Sequence, residues 1–162
     1  MPFLTRRTVV AIAAIALAVS ASSAIAKPSK AKSFYSKGFV TLNSLQAAFT
    51  PGGTDFSGTG SATGLGNITQ TGHLHLGSPN LQGMTQGSGT TNLTFMNGSH
   101  LYCTFTGQFS MSTGLGTGTV TFVGGTGQFA GASGSATLAV FSLIPTGKKT
   151  SPTKIEIRGT FN

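Results

Sequence analysis

Lys154-Ile-Glu-Ile-Arg-Gly-Thr-Phe161 decides the fold. Ile155, Ile157 and Phe161 fall on one side of an alternating pattern, with Lys154, Glu156, Arg158 and Thr160 on the other. Apolar residues at every second position mark a strand with one face in a core and one in water. Ser99–Phe109 repeats the pattern, setting Leu101, Cys103, Phe105 and Phe109 against His100, Tyr102, Thr104, Thr106 and Gln108. In the same way Thr91, Leu93 and Phe95 alternate with Thr90, Asn92 and Thr94, and Val120 and Phe122 with Thr119 and Thr121. Ile68, Leu74 and Leu76 oppose Thr69, Thr71, His73 and His75. Threonine on the wet face suits strand propensity.

Three stretches depart from this regularity. Val40 and Leu42 share one parity, whereas Leu45, Ala47 and Phe49 take the other, so a bulge or break is expected near Asn43-Ser44. Phe56 shares its face with Gly58, Gly60 and Ala62, a nearly bare strand that another backbone or side chain can approach closely. Ser135–Leu143 is apolar on both faces, as expected of a strand covered twice or of a contact with a second copy of the chain. From Phe34 onward the reading is about eight short strands, separated by Gly, Pro, Asn and Ser, and no helix. Strands that each carry one apolar face need a shared interior. A closed eight-stranded antiparallel β-barrel supplies it and removes free edges, leaving a space that side chains fill or that holds one small ligand. A two-sheet sandwich is equally compatible with the period.

Composition narrows the class. The chain has 162 residues, room for one domain. Only 7% are charged, against about 25% in an average globular protein, which argues against a disordered chain. Its 24 glycines argue against a helical bundle and lack the period of collagen. The net charge is +8. Met1–Ala26 reads as an export signal: Arg6 and Arg7, an apolar run over Val9–Val19, then Ala24-Ile-Ala26 as the cleavage site. That run is shorter than the roughly 20 residues needed to span a bilayer. The Arg pair fits the general secretory route or the twin-arginine route. Residues 27–33 are expected to be a flexible basic tail and 34–162 the barrel, in a secreted or periplasmic protein. Lysines at both ends of the mature chain read as solubilising charge; nucleic acid is not an expected partner, because no aromatic platform interleaves with them. Cys103 is the single cysteine, so no intrachain disulfide forms.

Thr119-Val-Thr-Phe-Val-Gly-Gly-Thr-Gly-Gln-Phe-Ala-Gly-Ala-Ser-Gly134, continuing into Ser135-Ala-Thr-Leu138, resembles the signature hairpin of the allene oxide cyclase and dirigent barrels. Phe56-Ser-Gly-Thr-Gly-Ser-Ala-Thr-Gly-Leu-Gly66 is similar to a segment of small secreted bacterial relatives of that barrel, and echoes Phe129–Thr137. The resemblance implies an eight-stranded antiparallel barrel, often oligomeric, with an apolar central cavity. It also implies cyclisation or stereochemical guidance of a reactive lipid or phenolic intermediate. Active members of the family use acidic side chains in the cavity. Asp55 and Glu156 are the only carboxylates here, and neither aligns with a family motif. The same glycines formally fit a dinucleotide fingerprint, Gly125-x-Gly-x-x-Ala130. That motif needs a helix to follow, and Gly131-Ala-Ser-Gly-Ser135 is a poor helix start.

Candidate sites are few. Asp55 follows the turn Pro51–Thr54 and Glu156 lies between two cations, so both read as solvated acids and paired-carboxylate chemistry is not expected. No Gly-x-Ser-x-Gly elbow is present, and Cys103 faces the interior. His73 and His75 share a strand face and His100 stands on another strand, a candidate Zn or Cu site whose plainer reading is surface histidines. No cofactor is called for. The first functional expectation is a non-catalytic exported barrel that binds a small apolar ligand or an envelope partner. Phe39, Phe56, Phe95, Phe105, Phe109 and Phe122 are the expected cavity lining. The alternative is a cyclase- or dirigent-like enzyme, which needs an inward polar group such as Tyr35, Tyr102 or a histidine.

Overall fold

The structure, a computed structural model, describes residues 30–142 and 152–162. The signal expected over Met1–Ala26, the start of the tail, and Leu143 lie outside the described residues. Eight strands carry the chain: β1 (Lys32–Leu42), β2 (Thr54–Ala62), β3 (Gly66–Leu76), β4 (Met84–Phe95), β5 (His100–Ser110), β6 (Leu115–Gly125), β7 (Gly134–Ser142) and β8 (Thr153–Phe161). Each pairs antiparallel with its neighbour in sequence, and β8 returns to β1 to close a barrel. The closing ladder runs from Lys32 opposite Phe161 to Val40 opposite Thr153. Closure decides between barrel and sandwich, and among the described residues every strand is paired on both sides, leaving none of their edges to template another chain. β1 begins two residues before Phe34, so Lys32 and Ser33 belong to the wall and not to a flexible tail. No helix among the described residues is long and apolar enough to cross a membrane.

The alternation places the core as the period requires. Ile155, Ile157 and Phe161 of β8 are buried, as are Leu101, Cys103 and Phe105 of β5. The phase slip after Leu42 is a break, one of the two forms expected there, and it holds a short helix, α1 (Leu45–Ala48), where no helix was expected. Ser44 starts it by accepting a hydrogen bond at Oγ from the Ala47 N–H, 3.1 Å away, the N-cap arrangement that satisfies one orphan donor. Once the chain leaves the wall, the period is no longer two. That is why Leu45 and Phe49 changed parity.

The bare strand β2 is approached as expected. A side chain on Gly58 or Gly60 would strike the carbonyls of Phe39 and Lys37 on β1. Glycines on the inner wall also receive aromatic rings. A Cβ on Gly72 would collide with the Phe56 ring, and one on Gly89 would lie 2.7 Å from Cζ of Phe105. Parts of the interior are therefore lined by rings that approach bare backbone closely.

The glycine hairpin builds the closed end. Between β5 and β6 the register shifts at Tyr102/Cys103, a bulge that leaves Val123 over and bends the wall. Gly124 then takes φ 138°, and the chain folds over the barrel end in a single 3₁₀ turn, Gly127–Phe129. Three residues of 3₁₀ turn cannot act as the helix of a dinucleotide site. Thr126 exchanges hydrogen bonds with His100: its N–H donates to the His100 carbonyl at 2.9 Å and its Oγ1 accepts from the His100 N–H at 3.1 Å. This turn drops Phe129, 1% exposed, into the barrel end against Phe95 at 4.5 Å and Phe161 at 5.5 Å. Phe34 and Phe122, edge to face at 5.3 Å, complete the plug. Edge-on and tilted ring pairs of this kind add about 0.5–1.5 kcal/mol each beyond their buried area.

Candidate functional site

The plug fills one end of the barrel, and the other half holds a cavity of about 160 Å³. Its walls are Phe56, Leu74, Phe105, Val120, Leu138 and Ile155, one or more from nearly every strand. Leu45 of α1, Ser110, Met111 and Thr153 stand around its mouth. The lining includes no ionisable side chain among the described residues.

Of the six phenylalanines expected to line a cavity, Phe56, Phe105 and Phe109 do so. Phe95 and Phe122 are buried one layer deeper, in the plug. Phe39 is a correction. It is 53% exposed on the outer wall, because Ser36 and Val40 take the inward parity of β1 and residue 39 must take the other. It lines a groove on the outside of the barrel together with Tyr35, Lys37, Lys154 and Glu156. Lys154 sits 2.9 Å from Glu156, and its ammonium, helped by Arg158, holds that carboxyl below the usual range. Lys154 also covers the outer ring of Phe141, 4.9 Å away, on the strand expected to be apolar on both faces.

The histidines do not converge. The described residues contain no group of three or more side chains suited to a metal ion. His73 Nδ1 is 2.8 Å from Asp55 Oδ1 across the β2–β3 ladder. His100 stacks on Tyr102 with ring centroids 6.1 Å apart, and its Nδ1 lies 3.1 Å from Thr94 Oγ1. His73 faces Thr90, which faces Thr104, four residues along β5 from His100. Strand rise and spacing then separate the two imidazoles by roughly 16 Å. Tyr35 and Tyr102, the polar rings that cavity chemistry would have needed, also belong to the outer wall. Tyr35 lies under Arg158 at 5.0 Å, and Tyr102 is 40% exposed. Cys103 is buried beside the plug, and burial pushes its thiol up to about 12, far from a thiolate at neutral pH.

Besides Ser110 and Thr153 at the mouth, two buried polar side chains reach the cavity, Gln70 and Thr91, which are 6% and 4% exposed. Both sit at its inner end, since Ile68 and Leu93, the next inward residues on their strands, belong to the plug side. Gln70 Nε2 donates to Thr91 Oγ1 at 3.1 Å, and that hydroxyl donates to the Thr71 carbonyl at 3.2 Å. The sequence carried the signal: Gln70 shares parity with Ile68 and Leu74, and Thr91 with Leu93. Neither stands out by itself, because among apolar residues each looks like an ordinary interruption of the pattern.

No family model and no curated protein matches the chain. One solved structure is similar. It is a pterocarpan synthase dirigent protein, 17% identical, with a TM-score of 0.49, over 81% of this chain and 82% of that one.

Proposed function

We propose that this chain is an exported, non-catalytic barrel that binds one small, uncharged, apolar ligand in its open half. The observation that carries the reading is the cavity of about 160 Å³, walled by aliphatic and aromatic side chains. An apolar cavity of about 150 Å³ in another protein suffices to hold benzene. Transfer of a ring-sized ligand from water into such walls is favourable at about 25 cal/mol per Å² buried. Affinities from high micromolar to millimolar are the expected range, equivalent to roughly 4–6 kcal/mol. The cyclase- or dirigent-like alternative would need an inward polar group such as Tyr35, Tyr102 or a histidine, and none of these lines the cavity.

Titration of the mature protein with indole and toluene tests the reading, followed by methyl chemical shifts of Leu74, Val120 and Ile155. Saturable shifts at these methyls support it. Val140→Phe, which puts a ring into the cavity from β7, is expected to abolish them while circular dichroism still reports β structure. Absence of saturable binding by either probe refutes the ligand site. For the export half of the proposal, intact mass of the protein recovered outside the cytoplasm is expected to begin at Lys27.

A further inference from the structure

Resting on the ligand-binding reading above, we propose that Gln70 selects among ligands. The cavity prefers a neutral, ring-sized molecule that carries one hydrogen-bond donor, a hydroxyl or an N–H, which docks on Gln70 Oε1.

The direction of the buried network carries this. The Thr71 carbonyl can only accept, so the Thr91 hydroxyl spends its single proton there. Thr91 Oγ1 then has only lone pairs to offer Gln70, which must present its NH₂. The orientation of the carboxamide is thus fixed by its neighbours, with Nε2 toward Thr91 and Oε1 turned away. Among the described residues, no donor is bonded to Oε1. Among the described residues no fully enclosed side-chain nitrogen or oxygen lacks a partner, so Oε1 is not fully enclosed, and the cavity that Gln70 lines is the space within its reach. An acceptor in an otherwise apolar chamber is best met by a donor. A carboxylate ligand would instead set like partial charges together and give up its hydration with no cation among the described lining residues to replace it.

The test compares indole with benzofuran, which have nearly the same shape and differ in one N–H. Calorimetric titration of the native mature protein is expected to give about tenfold tighter binding of indole, the range of one net hydrogen bond. In Gln70→Leu the preference disappears through loss of indole affinity, with benzofuran unchanged or tighter. A second measurement does not depend on that variant folding: the Gln70 side-chain amide resonances of the native protein shift with indole and much less with benzofuran. Equal affinity for the two probes, tighter binding of benzofuran, or a preference that survives in folded Gln70→Leu overturns the role of Gln70 while leaving the cavity intact. Failure of both probes to bind overturns the ligand site itself, and this inference with it.

Discussion

Phe129→Ala removes the ring that closes the barrel. Phe129 is 1% exposed and packs against Phe95 at 4.5 Å and Phe161 at 5.5 Å. Truncating a buried Phe to Ala typically destabilises by about 3–5 kcal/mol, the transfer free energy plus the void left behind. Phe129 lies on a 3₁₀ turn at the barrel end, where water can enter and the turn can settle, so the lower figure of about 3 kcal/mol applies. With a urea slope near 2 kcal/mol per molar, the unfolding midpoint should fall by roughly 1.5 M. The melting temperature should fall by about 10 °C at 3–4 °C per kcal/mol. Phe129→Leu keeps most of the volume and is expected to lose less than half as much. Because Phe129 does not line the open half, indole affinity of the folded variant should be unchanged. A midpoint shift below about 0.25 M would refute the plug, since a ring at the surface gives a loss of no more than about 0.5 kcal/mol.

Gly72→Ala should cost about 1–3 kcal/mol by overpacking, because its methyl meets the Phe56 ring and the Thr90 carbonyl; adding Phe56→Leu should recover part of that in denaturant melts. Burial raises the Cys103 thiol from 9.0 to about 12, so the unfolded chain gives up a proton first. Stability should hold below pH 9 and fall as pH rises from 9 toward 12, at no more than about 1.4 kcal/mol per unit, while Cys103→Ala removes that part of the slope. Saturating Zn should leave the melting temperature within a degree, since His73 is taken up with Asp55 and His100 with Thr94; a rise of several degrees would contradict that arrangement.

The wall of the barrel was readable because each strand repeats the same two-residue choice. Ile155/Ile157 and Leu101/Cys103/Phe105 needed no partner to declare their face. Depth along a strand was not readable. Phe95 and Phe105 have the same parity rule, yet one joins the plug and the other lines the cavity, a difference set by how neighbouring strands are staggered. Phe39 was misplaced for a local reason. The slip lies after Leu42, so Val40 still takes the inward parity and residue 39 the outward one. The short helix α1 escaped because four residues cannot show a 3.6-residue period, and only the Ser44 cap marks it. The metal cluster failed on spacing between strands, since two histidines on β3 carry no information about where β5 will set a third. Gln70 and Thr91 were visible as polar residues on apolar parity, but their pairing depends on the β3–β4 register, which places Gln70 opposite Leu93 and Thr91 opposite Gly72.

The barrel is packed at one end and hollow at the other. Xenon under pressure, read by methyl resonances of the mature protein, tests this most directly, because an apolar hole of this size admits it. Leu74, Val120, Leu138 and Ile155 are expected to shift and saturate, with Leu93 and Leu101 at the plug unmoved. Uniform small shifts at both ends, or none at all, would contradict a hollow half.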